Sequence, residues 1–399
     1  MKLHSTETFW PLKNSMANGY PSLQDSIATP ILIIGGGITG ALIAYELIRQ
    51  GKKAVLVDKR DVCNGSTAAS TALLQYEIDV SLHELIKKRG LKCAVDSYKN
   101  CKKAIYDLKA IVDQVKSDCG FEFKKSIYFC AFKKDIKFLR TEFETRKEHG
   151  LDVKWLEEND LKKIGLNALA AIESKSGAVL DPYQLAQDLL HFCKEKGMLI
   201  FDRTDIISIK KKAEKMLAIT NSDYTITAEN IIHCTGYESV EMISNEVVDL
   251  KSTYVTISES YTKLPPLFKN AIYWNTADPY HYFRSTPDGR IIIGGGDEEF
   301  KDAERRDKLM DLKESYLLKQ FKKYFPKIDF IPDYSWAGTF GETKDGLPYF
   351  GKLNPKKNEH FVLGFGGNGI TFSVLGMNSI ISSLENLPHP DLEYYKFGR

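Results

Sequence analysis

Residues 31–34 (Ile-Leu-Ile-Ile) are an unbroken apolar run, the pattern of a strand buried on both faces of a parallel sheet. Apolar residues then recur at 41, 42, 44, 45, 47 and 48, the spacing of one helix face, as far as Gly51. "KAVLVD" at 53–58 returns to strand. The pattern predicts one β-α-β unit of roughly 30 residues. From 82 to 118 the chain reads as charged helix, and "FEFKKSIYFCAF" at 121–132 as strand. A further helix is predicted over 182–196, with Asp181 as N-cap and Pro182 as its first residue. Short strands follow ("MLIFDRT", "AITNSDYTITA") and end in "NIIHCTGYES" at 230–239. The stretch 250–296 is dense in β-branched and aromatic residues, as in an antiparallel sheet. A charged helix at 301–325 precedes a Gly-rich end. Residues 1–29 show no usable period and are expected to form a surface arm.

The 55 Lys and Arg balance 53 Asp and Glu, with no sustained basic block, so nothing points to nucleic acid. The run "KKKAEK" reads as a solvated hairpin tip between two strands. Seven cysteines (Cys63, Cys93, Cys101, Cys119, Cys130, Cys193, Cys234) contain no C-x-x-C pair and have no His partner at metal-ligand spacing. They are read as free thiols in a reducing compartment, and no metal site is expected. The N-terminus lacks the pattern of a secretory signal. The longest apolar stretch, 31–48, holds Glu46 and three consecutive glycines, which weaken it as a membrane span. Cytoplasmic residence without a transmembrane segment is the expectation.

Gly35, Gly37 and Gly40 fill G-x-G-x-x-G after a strand and at the opening of a helix, with Ile38 and Thr39 between them. The first glycine permits the tight turn, the second admits a pyrophosphate, and the third lets helix pack on strand. Asp58, followed by Lys59, ends the second strand where an acid takes ribose hydroxyls. This fingerprint predicts a Rossmann-like dinucleotide site and leaves NAD and FAD both open. A second glycine cluster, Gly364, Gly366, Gly367 and Gly369, opens a helical run near the far end of the chain. Its backbone N–H groups can approach a flat ring, and a helix N-terminus favours negative charge there.

Four stretches together resemble the D-amino-acid-oxidase-type family of FAD-dependent oxidoreductases, which includes glycine oxidase, sarcosine oxidase and the dehydrogenases of D-amino acids and polyamine derivatives. They are "GGGITG" at 35–40, "GSTAASTALLQ" at 65–75, "IIHCTGYES" at 231–239, and "WAGTFGETKDGLPYFG" at 336–351 with "GFGGNGIT" at 364–371. The resemblance runs from about 30 to 385 and implies FAD rather than NAD. It places Ser66, Thr67, Ser70, Thr71 and Leu73 along the pyrophosphate and flavin edge. It adds Thr235, Gly236, Gly338, Gly366, Gly367, Asn368, Gly369 and Ile370 as cofactor contacts. Asp345, Gly346 and Pro348 match a family turn that is either structural or a contact. Sarcosine oxidases tether flavin through a cysteine, but this chain has none after Cys234, so non-covalent FAD is expected.

The implied architecture is an α/β composite: a Rossmann-like FAD domain with a parallel sheet, and a substrate domain on a mixed or antiparallel sheet. The expected division gives an arm at 1–27, a discontinuous FAD domain (28–84, 179–238, 335–399), and a substrate domain (85–178, 239–334). The implied activity transfers a hydride from the C–N carbon of an amino acid or related amine to flavin N5, then passes electrons to oxygen or another acceptor. The readings kept beside it are an NAD-dependent dehydrogenase and a flavin-carrying subunit whose activity needs a partner. Arg284 is the candidate carboxylate clamp because its planar fork suits bidentate binding. Tyr282 and Tyr280 share its strand face, and Tyr254 is a further candidate. His281 reads as a sheet histidine and Arg290 as solvent-facing. Ile292 falls near the place where sarcosine oxidases carry an oxygen-activating lysine, which leaves oxidase and dehydrogenase equally open.

Overall fold

The computed structural model describes residues 1–5, 7–15, 18–243 and 247–399. Two sheets face each other. In the first, the strands Glu359–Leu363, Thr225–His233, Ile27–Ile34, Ala54–Val57 and Leu199–Phe201 run parallel in that order. Tyr349–Gly351 closes one edge antiparallel, and the hairpin Ile206–Lys212 with Lys215–Thr220 extends from Thr225–His233. The lysine run sits at that hairpin's exposed tip. Ile31 lies opposite both Ala54 and Asn230. Leu32 and Ile33 are fully buried, as the apolar run predicts for a strand covered on both faces.

The second sheet runs Pro332–Glu342, Asp249–Ser258, Ile291–Glu299, Tyr282–Ser285, Ala271–Asn275, Glu122–Phe129, Ala170–Val179 and Leu73–Leu74. It is antiparallel except where Ala271–Asn275 pairs parallel with Glu122–Phe129, so it is mixed. The expected boundary at 335 falls inside the strand Pro332–Glu342, which pairs along its length with Asp249–Ser258. The long helix Leu91–Val115 packs against Gly369–Leu384 and Pro182–Glu195. Asp181 caps the latter helix, its carboxylate accepting from the Tyr183 and Gln184 N–H groups, as the sequence predicts.

The first residues are no surface arm. Phe9 and Trp10, on the short helix Phe9–Asn14, and Tyr20 all lie in the main core. The Trp10 indole donates to the Ser70 carbonyl at 2.7 Å, and Phe9 stacks on Trp336. Leu3 and Ser5 extend the second sheet's edge, where Thr339 N–H donates to Leu3 and Ser5 N–H to Ala337. The segment has no period because Phe9, Trp10 and Tyr20 are held by contacts with distant parts of the chain. All seven cysteines are buried and unpaired. Among the described residues no helix is long and apolar enough to cross a membrane, and no His, Cys, Asp and Glu group has metal-holding geometry.

Candidate active site

A cavity of about 390 Å³ lies between the sheets. Its floor comes from the carboxyl ends of the parallel strands: Ile34 and Gly35, Asp58, Cys234 and Thr235, and Gly364. This is where open α/β sheets bind ligands. The second sheet contributes Thr253, Tyr282, Asp297 and Gly338 from the other side.

Gly35 sits at φ +106°, and a Cβ there would lie 2.5 Å from the Cys234 carbonyl oxygen. At Gly37 a Cβ would press to 2.9 Å on the Thr67 hydroxyl, which accepts from Ile38 N–H at the start of the helix Ile38–Arg49. Gly35, Gly37, Ile38 and Thr39 line the cavity. Gly40 does not: its Cβ would fall 1.9 Å from the Gly35 carbonyl oxygen, so its bareness serves helix packing and the expected cofactor contact is corrected. Asp58 accepts from Gly36 N–H at 2.7 Å and Arg60 N–H at 2.8 Å. Burial pushes its carboxyl up to about 6 against those two bonds. Lys59 and Arg60 also line this end, and both pair with Glu238, at 2.8 and 2.7 Å. Burial opposes ionisation of Glu238, but Arg60 and Lys59 hold it down to about 2.

The far glycine cluster closes the same cavity. Gly366, Gly367, Asn368, Gly369 and Ile370 line it, as do Ser66, Thr67, Ser70, Thr71, Leu73, Thr235 and Gly236. The Asn368 amide donates to the Gln75 and Glu77 carbonyls. Gly366 N–H donates to Gly341, and Gly367 N–H to Asp79. The Thr39 and Ser373 hydroxyls meet at 2.7 Å, joining the two glycine-led helices. Ser66 Oγ, Thr235 Oγ1 and Asn368 Oδ1 are shielded from solvent without a partner. Buried polar atoms left so cost about 1–3 kcal/mol each, so three of them on residues that line the cavity fit a polar ligand there. Asp345, by contrast, accepts from Arg399 and Leu347 N–H and is a structural turn.

The substrate assignments need correction. Arg284 is completely buried and outside the cavity. Its Nη1 donates to the Thr71, Ala72 and Leu180 carbonyls, at 2.7, 2.7 and 2.8 Å, and its Nε to Ser285. It therefore cannot clamp a carboxylate; it supports the 71–72 backbone from beneath. It shares a strand face with Tyr282, but two residues carry it about 7 Å along the strand. Tyr254 is also buried away from the cavity, in the cluster with Phe283 and Phe321. Tyr282 does line it, its ring lying over Gly294, where a Cβ would collide at 2.2 Å. Tyr280 joins it and donates to Asp79 at 3.1 Å. His281 bonds the Tyr316 hydroxyl and Asn275, Arg290 pairs with Asp288 and Asp333, and Ile292 packs in the core.

Asp297 and Thr253 are cavity residues that the sequence reading missed. Pairing between Asp249–Ser258 and Ile291–Glu299 slips at Thr253, where Gly295 and Gly296 adopt positive φ. Such a bulge re-aims the side chain that follows it. The signal was an acid directly after three glycines at the end of an apolar strand.

A cavity lined by two glycine clusters at the carboxyl edge of a parallel sheet, with a second sheet roofing it, has the geometry of a dinucleotide site. The chain belongs to the family of FAD-dependent oxidoreductases of the DAO type, whose model matches residues 30–377. Its dinucleotide is FAD, and the NAD reading falls. The chain is 26% identical over 392 residues to a putative Rieske 2Fe-2S iron-sulfur protein of Bacillus subtilis, covering 96% of this chain and 74% of that protein. It is 26% identical over 362 residues to glycine oxidase of Bacillus licheniformis, covering 85% and 88%. The fold matches crystalline glycine oxidase from Geobacillus kaustophilus with a TM-score of 0.78 at 18% identity, over 93% of this chain and 99% of that one.

Proposed function

We infer that the chain oxidises a C–N bond of an amine or amino acid, as the name of the glycine oxidase relative suggests. Bound FAD supplies a two-electron hydride acceptor. The chain's own residues bind and orient. Gly35, Gly37, Ile38 and Thr39 present backbone to the pyrophosphate, and Asp58 receives ribose hydroxyls. Ser66, Thr67, Ser70, Thr71 and Leu73 follow the cofactor's length, with Thr235, Gly236 and Gly338. Gly366 through Ile370 would present backbone to the ring of a non-covalently held flavin. Tyr280 and Tyr282 wall the substrate end, where orientation and water exclusion matter more than an acid-base pair.

The observation that carries this reading is the convergence of three partnerless polar atoms, from Ser66, Thr235 and Asn368, on one cavity. The first segment, expected as a surface arm, belongs to the fold's own core. Purified protein is expected to absorb between about 350 and 500 nm, as flavins do, and to bleach when an amine is added without air. Colourless protein that takes up no FAD would refute the reading.

A further inference from the structure

The substrate end of the cavity carries a charge pattern that flavin binding does not use. Asp297 lines it, and Asp297 Oδ1 is shielded from solvent without a hydrogen-bond partner. Burial pushes this carboxyl up to about 7; the Thr253 hydroxyl opposes the shift, Glu342 and Asp79 add to it, and Lys313 opposes it weakly. Lys313 is already engaged by Glu298 and the Gly296 carbonyl. Asp79 stands behind Tyr280 and Gly367. The Lys and Arg among the described lining residues are Lys59 and Arg60, both held by Glu238 beside Asp58. The arginine expected to meet a carboxylate is sealed beneath residues 71–72.

A carboxylate entering here meets the Asp297 carboxyl and no guanidinium free to pair with it, and a desolvated anion left without a cation is strongly disfavoured. An ammonium meets the Asp297 carboxyl, whose Oδ1 has no hydrogen-bond partner, beside Tyr280 and Tyr282, and a carboxylate favours a cation there. We propose that the substrate is an alkylamine or diamine without a carboxylate beside the amine, and that Asp297 receives its ammonium group. This rests on the amine-oxidation reading above and specifies its substrate class.

The test is an anaerobic titration of the FAD-loaded protein, following the flavin band, with propylamine and 1,4-diaminobutane against glycine, sarcosine and alanine. The amines are expected to perturb or reduce the flavin at concentrations at least about tenfold lower than the amino acids. Asp297→Asn should weaken amine binding about tenfold to a hundredfold, with the flavin spectrum intact and the response to propionate undiminished. Tighter response to the amino acids, or unchanged amine binding in Asp297→Asn, overturns the proposal and leaves amine oxidation standing. Failure of every amine and amino acid to reduce the flavin overturns both. If Asp297→Asn does not retain FAD, the wild-type selectivity between the two panels decides alone.

Discussion

Arg284 is a buried cation whose hydrogen bonds all go to carbonyl oxygens. Burial lowers its guanidinium to about 10, with Asp181 opposing, so it stays charged at neutral pH. One of the carbonyls it holds belongs to Ala72, which sits at φ +46°, a region that costs a non-glycine residue roughly 1–2 kcal/mol. Arg284→Met should leave these carbonyls unpartnered and lower stability by about 3 kcal/mol. Urea unfolding reads that loss. Because Thr71 and Ala72 line the cavity, the same variant should bind FAD more weakly, which flavin fluorescence on dilution measures. The sequence told the face on which Arg284 lies, because alternation along a strand is local. It did not tell the depth, which depends on where residues 71–72 and 180 cross beneath that strand. Asp297 was hidden for a related reason: a bulge changes its direction, and only the three glycines before it hinted at one.

Among the elements, the turn between Ile27–Ile34 and Ile38–Arg49 is the most tightly specified. Gly40→Ala would place a methyl 1.9 Å from the Gly35 carbonyl oxygen, a backbone atom that cannot yield without moving the helix. A loss of about 3 kcal/mol or more is expected, together with release of FAD, whereas Gly19→Ala, with nothing within 4 Å of the added carbon, should be silent. Thermal unfolding with and without added FAD separates the two. This turn was legible from sequence because its three glycines fall within six residues, although the atoms that crowd Gly35 and Gly37 belong to Cys234 and Thr67. The helix Phe9–Asn14 was not, since its sockets are built by Ser70 and Trp336, far along the chain. The first sheet's parallel strands were likewise readable as apolar runs, while the reach of Pro332–Glu342 into the second sheet was not, because pairing partners leave no mark in a strand's own pattern.

At the scale of the whole molecule, a buried ionic network ties the segment behind the cavity to the outer helix Ile136–Glu148. Arg146 bonds Glu142 at 2.7 Å and Glu77 at 3.2 Å, and Glu142 also accepts from His83 and the Leu82 N–H. Burial opposes ionisation of Glu142, but Arg146 and these donors hold it down to about 2 from 4.5. Its folded value is therefore depressed: the stability it contributes is complete above about 4.5 and is lost as pH falls towards 2. Glu77 moves the other way, raised by burial, so the informative quantity is a difference between proteins. Glu142→Gln should be less stable than wild type at pH 7 by about 3 kcal/mol, with the gap closing between pH 4.5 and 2; chemical denaturation across that range checks it. The meeting of residues 35–40 with residues 366–370 also bears on how the protein is made. A ribosome must have released residue 370 before the cradle exists, so no shorter nascent chain can hold the vitamin-derived cofactor.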